Sequence, residues 1–409
     1  MSGKMKMMAW LLVALAALPV ARAQARRPLG RGEVLVLLDL GDGSGRVRQL
    51  LARDGIGFAP DAAYLSLLRE QGASSALLSA LASAKPAAAP DGDPVADPAL
   101  YASLRNCFEL ARAKSFPAAE KSCEDAASHE PALGELALGE ILLNRQMVAD
   151  AIVAFRRSLQ ADDSSPDALD HLGIALESGG DLSGAEAAYQ RAAELDPDYA
   201  APHCNLASLY LGKLNPARAV DEARKAVALD PADPSSRNNL GAALALRGDA
   251  AGAEKELRKA IALDPIAFRY GNLAGLYQSR GDFRAAIAPL EKAEELEPGN
   301  VVWPARLCQA LAQAGDHASA IPQCQRAVTQ NPQDADGHEE FVRELASEGQ
   351  YAEAAAACLA TPRQAMDSQH RREWKKYCEE LQAAARQLPR PPAAAAPQPP
   401  ASEPPAPSR

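Results

Sequence analysis

Asn205, Asn239 and Asn272 recur at intervals of 34 and 33 residues, and each opens the same phrase: NLASLYLGKL, NLGAALALRG, NLAGLYQSRG. A carboxamide carries a donor and an acceptor together, so one Asn can pair with both the C=O and the N–H of a peptide unit. That is chemistry of recognition rather than of bond making. Sulfur supplies a second pattern, because Cys107 and Cys123 are separated as Cys308 and Cys324 are. Catalysis has no comparable signature: no nucleophile stands at a recognisable motif spacing from a base, and no cofactor loop occurs. The stretch GDGSG (Gly41–Gly45) has no strand before it and no Lys-Ser/Thr after it, so it reads as a turn. The six His are scattered and neither a paired CxxC nor an HExxH occurs. The expectation is a chain that is not an enzyme and uses no cofactor or metal.

The elements that must carry these residues are repeated hairpins. Aligning on the proline that closes each phrase gives Pro197, Pro231, Pro265, Pro298 and Pro332. A period of this length signals stacked supersecondary units. With that proline numbered 32, position 8 is small (Gly139, Gly173, Ala207, Gly241, Ala274). Position 20 is always Ala (Ala151, Ala185, Ala219, Ala253, Ala286, Ala320, Ala354), and position 27 is Ala in most copies. Gly holds position 15 in Gly180, Gly248, Gly281, Gly315 and Gly349. Small residues at 8, 20 and 27 let two antiparallel helices approach closely, and Gly at 15 turns the chain between them. Proline at 32 ends the second helix. Larger apolar residues at 7, 11, 17 and 24 fill the space between units, since one hairpin cannot bury its own apolar face.

In a hairpin that turns near position 16, residues whose positions sum to about 32 lie at one height. Cys107 with Cys123, and Cys308 with Cys324, occupy positions 8 and 24, so each pair is expected to bridge its own hairpin. Closing such a loop stabilises by about 3 kcal/mol on the chain-entropy model. Cys358, again at position 24, is expected to join Cys378, which leaves Cys204 as the odd thiol.

This pattern closely resembles the tetratricopeptide repeat family, over about residues 100–360 and as roughly eight units. The resemblance implies an all-α, right-handed superhelical solenoid whose concave groove is lined by the first helix of each hairpin. Position 6 then faces the groove, held by Ala137, His171, Asn205, Asn239, Asn272, Arg306 and Glu340. Neighbouring groove positions are Asp170, Cys204, Ser208, Asn238, Gln278, Gln309 and Arg343. Repeat proteins similar to this one use such asparagines to bind peptide backbone. On that resemblance Asn205, Asn239 and Asn272 are the expected peptide-binding row. His171 and Arg306 flank it, placed to pair with an acidic side chain or a terminal carboxylate. The same Asn also occurs in units without a known ligand, where its expected role is only to bond a neighbouring helix end.

Composition and flanks set the context. The 409 residues carry 5% aromatics and a formal charge of −10, with no block of basic residues to hold nucleic acid. Residues 1–23 read as a secretory signal peptide: Lys4 and Lys6 precede the apolar run MMAWLLVALAALPVA, and Ala21-Arg22-Ala23 is a small-x-small cleavage site. Cleavage there takes the charge to −13, and no Cys follows to carry a lipid. The expected location is the periplasm or the exterior, without membrane insertion.

Residues 31–84 hold a smaller duplication, helix–turn–helix twice. It looks like a helical module found ahead of repeat domains in some bacterial secreted proteins. Residues 85–99 read as a linker. Residues 361–388 hold a capping helix from Ser368 to Leu388, and 389–409 form a Pro/Ala-rich tail expected to be disordered or extended. The expected function is a non-catalytic adaptor that binds an extended peptide in the groove and serves an envelope or secretion assembly. The alternatives are a scaffold working through its flanks and convex surface, or a substrate-delivery partner of a separate enzyme.

Overall fold

A computed structural model describes residues 28–39, 43–86, 98–362 and 366–387. The signal peptide, most of the linker and the Pro/Ala-rich tail read from the sequence lie outside the described residues. Among the described residues the chain is all-α, with two isolated parallel bridges, Leu29 with Ile56 and Ile56 with Pro86. It divides into two compact units, with the boundary in the chain after Asp230.

The first unit opens with four short helices, α1 (Arg31–Asp39), α2 (Gly43–Asp54), α3 (Ala62–Glu70) and α4 (Ser75–Ser83). Asp61 and Ser74 cap α3 and α4 by accepting the Tyr64 and Leu77 N–H groups. Four hairpins follow: α5 (Pro98–Arg112) with α6 (Phe116–His129), α7 (Pro131–Asn144) with α8 (Val148–Ala161), α9 (Pro166–Ser178) with α10 (Leu182–Leu195), and α11 (Ala200–Gly212) with α12 (Pro216–Leu229). The four-helix module rests on the first helices of this stack, because α1 packs on both α5 and α7. Its seat is apolar: Gly32 of α1 lies against Leu104 and Leu100 of α5 and Leu133 of α7. Tyr64 stands 5.9 Å from Tyr101 ring to ring.

The second unit holds four more hairpins and a final helix. These are α13 (Pro234–Leu246) with α14 (Ala250–Leu263), α15 (Ala267–Ser279) with α16 (Phe283–Leu296), α17 (Val302–Gln313) with α18 (His317–Gln330), α19 (Ala335–Ser347) with α20 (Tyr351–Ala360), and α21 (Ser368–Gln387). Trp374, Cys378 and Leu381 of α21 close an apolar cluster with Val342, Leu345, Ala354 and Cys358.

The repeat positions explain the geometry. Position 15 takes the left-handed conformation in all eight hairpins. Gly180, Gly248, Gly281, Gly315 and Gly349 hold it in five, while Lys114, Gln146 and Leu214 hold it with φ of 58°, 61° and 51°. In most hairpins the next residue caps the second helix, as Asp181, Asn215, Asp249, Asp282 and Asp316 do by accepting an N–H three residues on. Alanine at position 20 is fully buried in every copy, Ala119 included.

Positions 8 and 24 meet in one slot, where Gly at position 8 makes room for a large residue at position 24. A Cβ added to Gly139 would stand 2.5 Å from Phe155, one added to Gly173 2.4 Å from Tyr189, and one added to Gly241 2.7 Å from Leu257. Where neither residue is large the slot takes two alanines, Ala207 and Ala223, both fully buried. In two hairpins it takes a disulfide. Cys107–Cys123 and Cys308–Cys324 are bonded across Cα separations of 5.3 and 5.0 Å. In the last hairpin position 8 is Val342, and Cys358 bonds Cys378 of α21 instead. Cys204 is in no disulfide.

Candidate peptide-binding wall

First helices of successive hairpins touch within each unit: α7 with α9 and α9 with α11 in one, α13 with α15 and α17 with α19 in the other. In each unit they form a wall of its own, whose residues repeat every 34 positions or so. Asn205 is half-buried on α11, and its Nδ2 donates to both carboxylate oxygens of Asp170 on α9, at 3.0 and 3.1 Å. Asn272 on α15 repeats the contact, donating from Nδ2 to Oδ1 of Asn238 on α13 at 2.9 Å. Position 6 of one hairpin thus bonds position 5 of the hairpin before it. Asn239 is half-buried on α13.

Two of the residues read as groove positions serve as acceptors beneath the wall. Asp170 is fully buried and Asn238 nearly so, whereas Ser208 and Gln309 are exposed. The amide nitrogens of Asn205 and Asn272 are therefore oriented by buried acceptors. Their Oδ1 atoms accept no hydrogen bond among the described residues.

His171 lies under the wall rather than on it. It is 2% exposed, with Nδ1 2.9 Å from the Asp167 carbonyl and Nε2 3.9 Å from the Glu140 carboxylate. Its repeat position matches the Asn row, but neighbouring side chains close over it.

Arg306, on α17, lies across the two glycines of α15. Its Nη1 would be 3.3 Å from a Cβ at Gly271, and its Nη2 3.4 Å from one at Gly275. It donates to Gln278 Oε1 at 2.7 Å and stands 6.0 Å from the Trp303 ring centroid. Burial lowers its pKa, and among the described residues no carboxylate faces it. Other sheltered arginines of the second unit differ, since Arg237 pairs with Glu256 at 2.7 Å and Arg269 with Asp264.

A second polar cluster escaped sequence reasoning. Arg46 of α2 is 4% exposed. It forks onto Asp167 of α9 with Nε–Oδ1 at 3.0 Å and Nη2–Oδ2 at 3.1 Å, and reaches Asp196 with Nη1 at 2.8 Å. Arg53 donates to the other Asp196 oxygen at 2.7 Å. The Arg46 guanidinium sits 3.9 Å over the Tyr199 ring. Burial works against charge on Asp196, yet Arg46 and Arg53 outweigh it and hold the carboxyl below its ordinary value. These partners lie 121 to 150 residues apart, so no local pattern joins them.

Comparison with known proteins places these hairpins. Tetratricopeptide repeat models match residues 177–213, 204–266 and 277–339. Among solved structures, the APC/C hetero-tetramer Cut9-Hcn1 aligns at TM-score 0.50 and 18% identity, over 63% of this chain and 57% of that one. This chain thus spans little more than half the length of that match. A tetratricopeptide repeat protein from Parabacteroides merdae aligns at TM-score 0.47 and 16% identity, over 61% of this chain and all of the other. Pseudomonas aeruginosa pilF aligns at 0.45 and 22%, over 53% and 98%. No curated protein matches the sequence.

Residues 177–266 and 277–339 thus match tetratricopeptide repeats, and the described residues share the all-α hairpin fold of such proteins. Proteins built from such repeats mediate protein–protein interaction, bind protein or peptide partners and are typically non-catalytic adaptors. Three disulfides in this chain fit an oxidising compartment. Among the described residues no helix is long and apolar enough to cross a membrane.

Proposed function

We propose that this protein is a non-catalytic adaptor of the periplasm or exterior, serving an envelope or secretion assembly. It holds an extended peptide along a first-helix wall. In the second unit Asn239 and Asn272 meet the peptide backbone and Arg306 takes a carboxylate, either an acidic side chain or a chain terminus; in the first unit Asn205 offers the same amide to peptide backbone. One observation carries the reading: Arg306 is a half-buried guanidinium that faces no carboxylate among the described residues, on the same wall as half-buried carboxamides. Burying an uncompensated cation costs stability, and a bound anion offsets that cost. Compartment and export rest on the leader-like residues 1–23 together with the disulfides. His171, closed beneath the wall, is left out of the contact set.

The test is a peptide-library binding assay with wild type, Asn239→Ala and Arg306→Gln, each checked for unchanged melting. Asn239→Ala is expected to weaken capture generally, by about tenfold for a lost amide pair. Arg306→Gln is expected to erase the preference for peptides bearing a free carboxylate over their amidated forms. Equal binding by all three proteins rejects the reading.

A further inference from the structure

Aspartate recurs at position 31 of the repeats, as Asp196, Asp230 and Asp264. Asp264 is paired by Arg269, five residues later. The residue five after Asp196 is Ala201, so Asp196 has no arginine at that place in its own repeat. It takes its cations from α2 instead. Asp167, Asp196 and Tyr199 are supplied by α9, by the residue after α10 and by the residue before α11. Two adjoining hairpins therefore assemble the site without help from the module that fills it.

The arrangement matches guanidinium chemistry closely. One carboxylate receives a two-pronged fork, a second receives another N–H, and an aromatic face covers the plane. An ammonium could not satisfy all three. Leaving one partner of such a buried pair without the other is costly, so an emptied site favours a new guanidinium. The surroundings extend the match: α2 carries Arg46, Arg48 and Arg53, and it lies along an edge bearing Asp167, Asp196 and Asp198. Gln49 donates to the Asp198 carbonyl, and a Cβ at Gly45 would lie 3.6 Å from the Asp230 carboxylate. A basic helix thus sits on an acidic edge, while the rest of the module's seat, under α1, is apolar.

We propose that Asp167, Asp196 and Tyr199 form a guanidinium-binding site on the repeats, filled in cis by Arg46. An arginine-bearing helix of a partner protein takes the same site when the module lifts away. The module is then a built-in competitor that sets the threshold for the partner. This site uses none of Asn205, Asn239, Asn272 or Arg306, so it stands or falls separately from the peptide wall.

The test uses the full chain and a labelled peptide of residues 43–54, alongside the same peptide with Arg46→Lys. Wild-type chain, its own site filled, is expected to bind the peptide weakly. The Arg46→Ala chain should bind it at least about tenfold more tightly. The Lys peptide should lose that gain, and adding Asp196→Asn to the Arg46→Ala chain should abolish it. Equal affinity of wild type and Arg46→Ala for the peptide overturns the proposal, as does equal binding of the Arg and Lys peptides. Should Arg46→Ala fail to fold, the Arg46→Lys chain replaces it, keeping the charge without the fork. Binding no tighter than wild type in that chain likewise overturns it.

Discussion

The two flanking segments cover repeat hairpins by different chemistry. Within the first unit, the four-helix module lies on α5 and α7 through an apolar seat and is pinned to α9–α11 by Arg46 and Arg53. Within the second, α21 lies on α20 through Trp374 and Leu381 and is joined to it by Cys358–Cys378. Solenoid ends need such covers, because a terminal hairpin leaves one apolar face without a neighbour. An ion pair dissociates and reforms, whereas a disulfide holds until it is reduced. The polar anchor of the first cover is non-covalent and that of the second is covalent.

The contrast can be broken most strongly at Arg46. Arg46→Met leaves Asp167 buried without its cation and Asp196 with Arg53 alone. Docking of the module is expected to weaken by about 4 kcal/mol, the usual cost of stranding one partner of a buried pair. Hydrogen exchange of residues 43–54 checks this, with α21 as the unaffected control. Replacing Cys358 and Cys378 together by Ser should cost about 3 kcal/mol by the loop-entropy relation. Here exchange rises in α21 while the module keeps its protection.

Acid should separate the two covers without mutation. The depressed pKa of Asp196 means its contribution is present above the ordinary carboxyl value of 3.8. That contribution is lost as the pH falls through the lower folded value. Exchange in α2 should therefore rise below about pH 4 while the disulfide keeps α21 docked. The smallest effect sharpens the comparison by testing the stack between the covers. Leu214 holds a left-handed turn that five other hairpins give to Gly, and it is 77% exposed. Leu214→Gly should stabilise by about 1 kcal/mol, read as a raised melting point, because an L side chain is strained there.

Much of the hairpin architecture was legible because each hairpin restates the same local rules. Glycine at position 15 announces the turn, and the Asp or Asn after it announces the cap. The small residues of position 8 and the cysteines shared by positions 8 and 24 are visible as soon as copies are aligned. Three turns hid the rule, since Lys114, Gln146 and Leu214 occupy the left-handed position without being Gly. The wall was only partly legible. Periodicity aligns His171 with Asn205 but cannot say that His171 is closed over, because burial depends on side chains from other helices. Nor could it say that Asp170 and Asn238 hold the amides of the following hairpin.

From its sequence alone this protein was determined to be a stack of helical hairpins, since turn, cap and helix-contact preferences act within a few dozen residues and repeat. Only the tertiary structure decided which charges meet. Arg46, Asp167 and Asp196 obey no spacing rule, and their pairing depends on a fold that brings a distant helix onto the edge of two hairpins. Coulombic and hydrogen-bond partners are set by distance in space, and separation along the chain carries no trace of it.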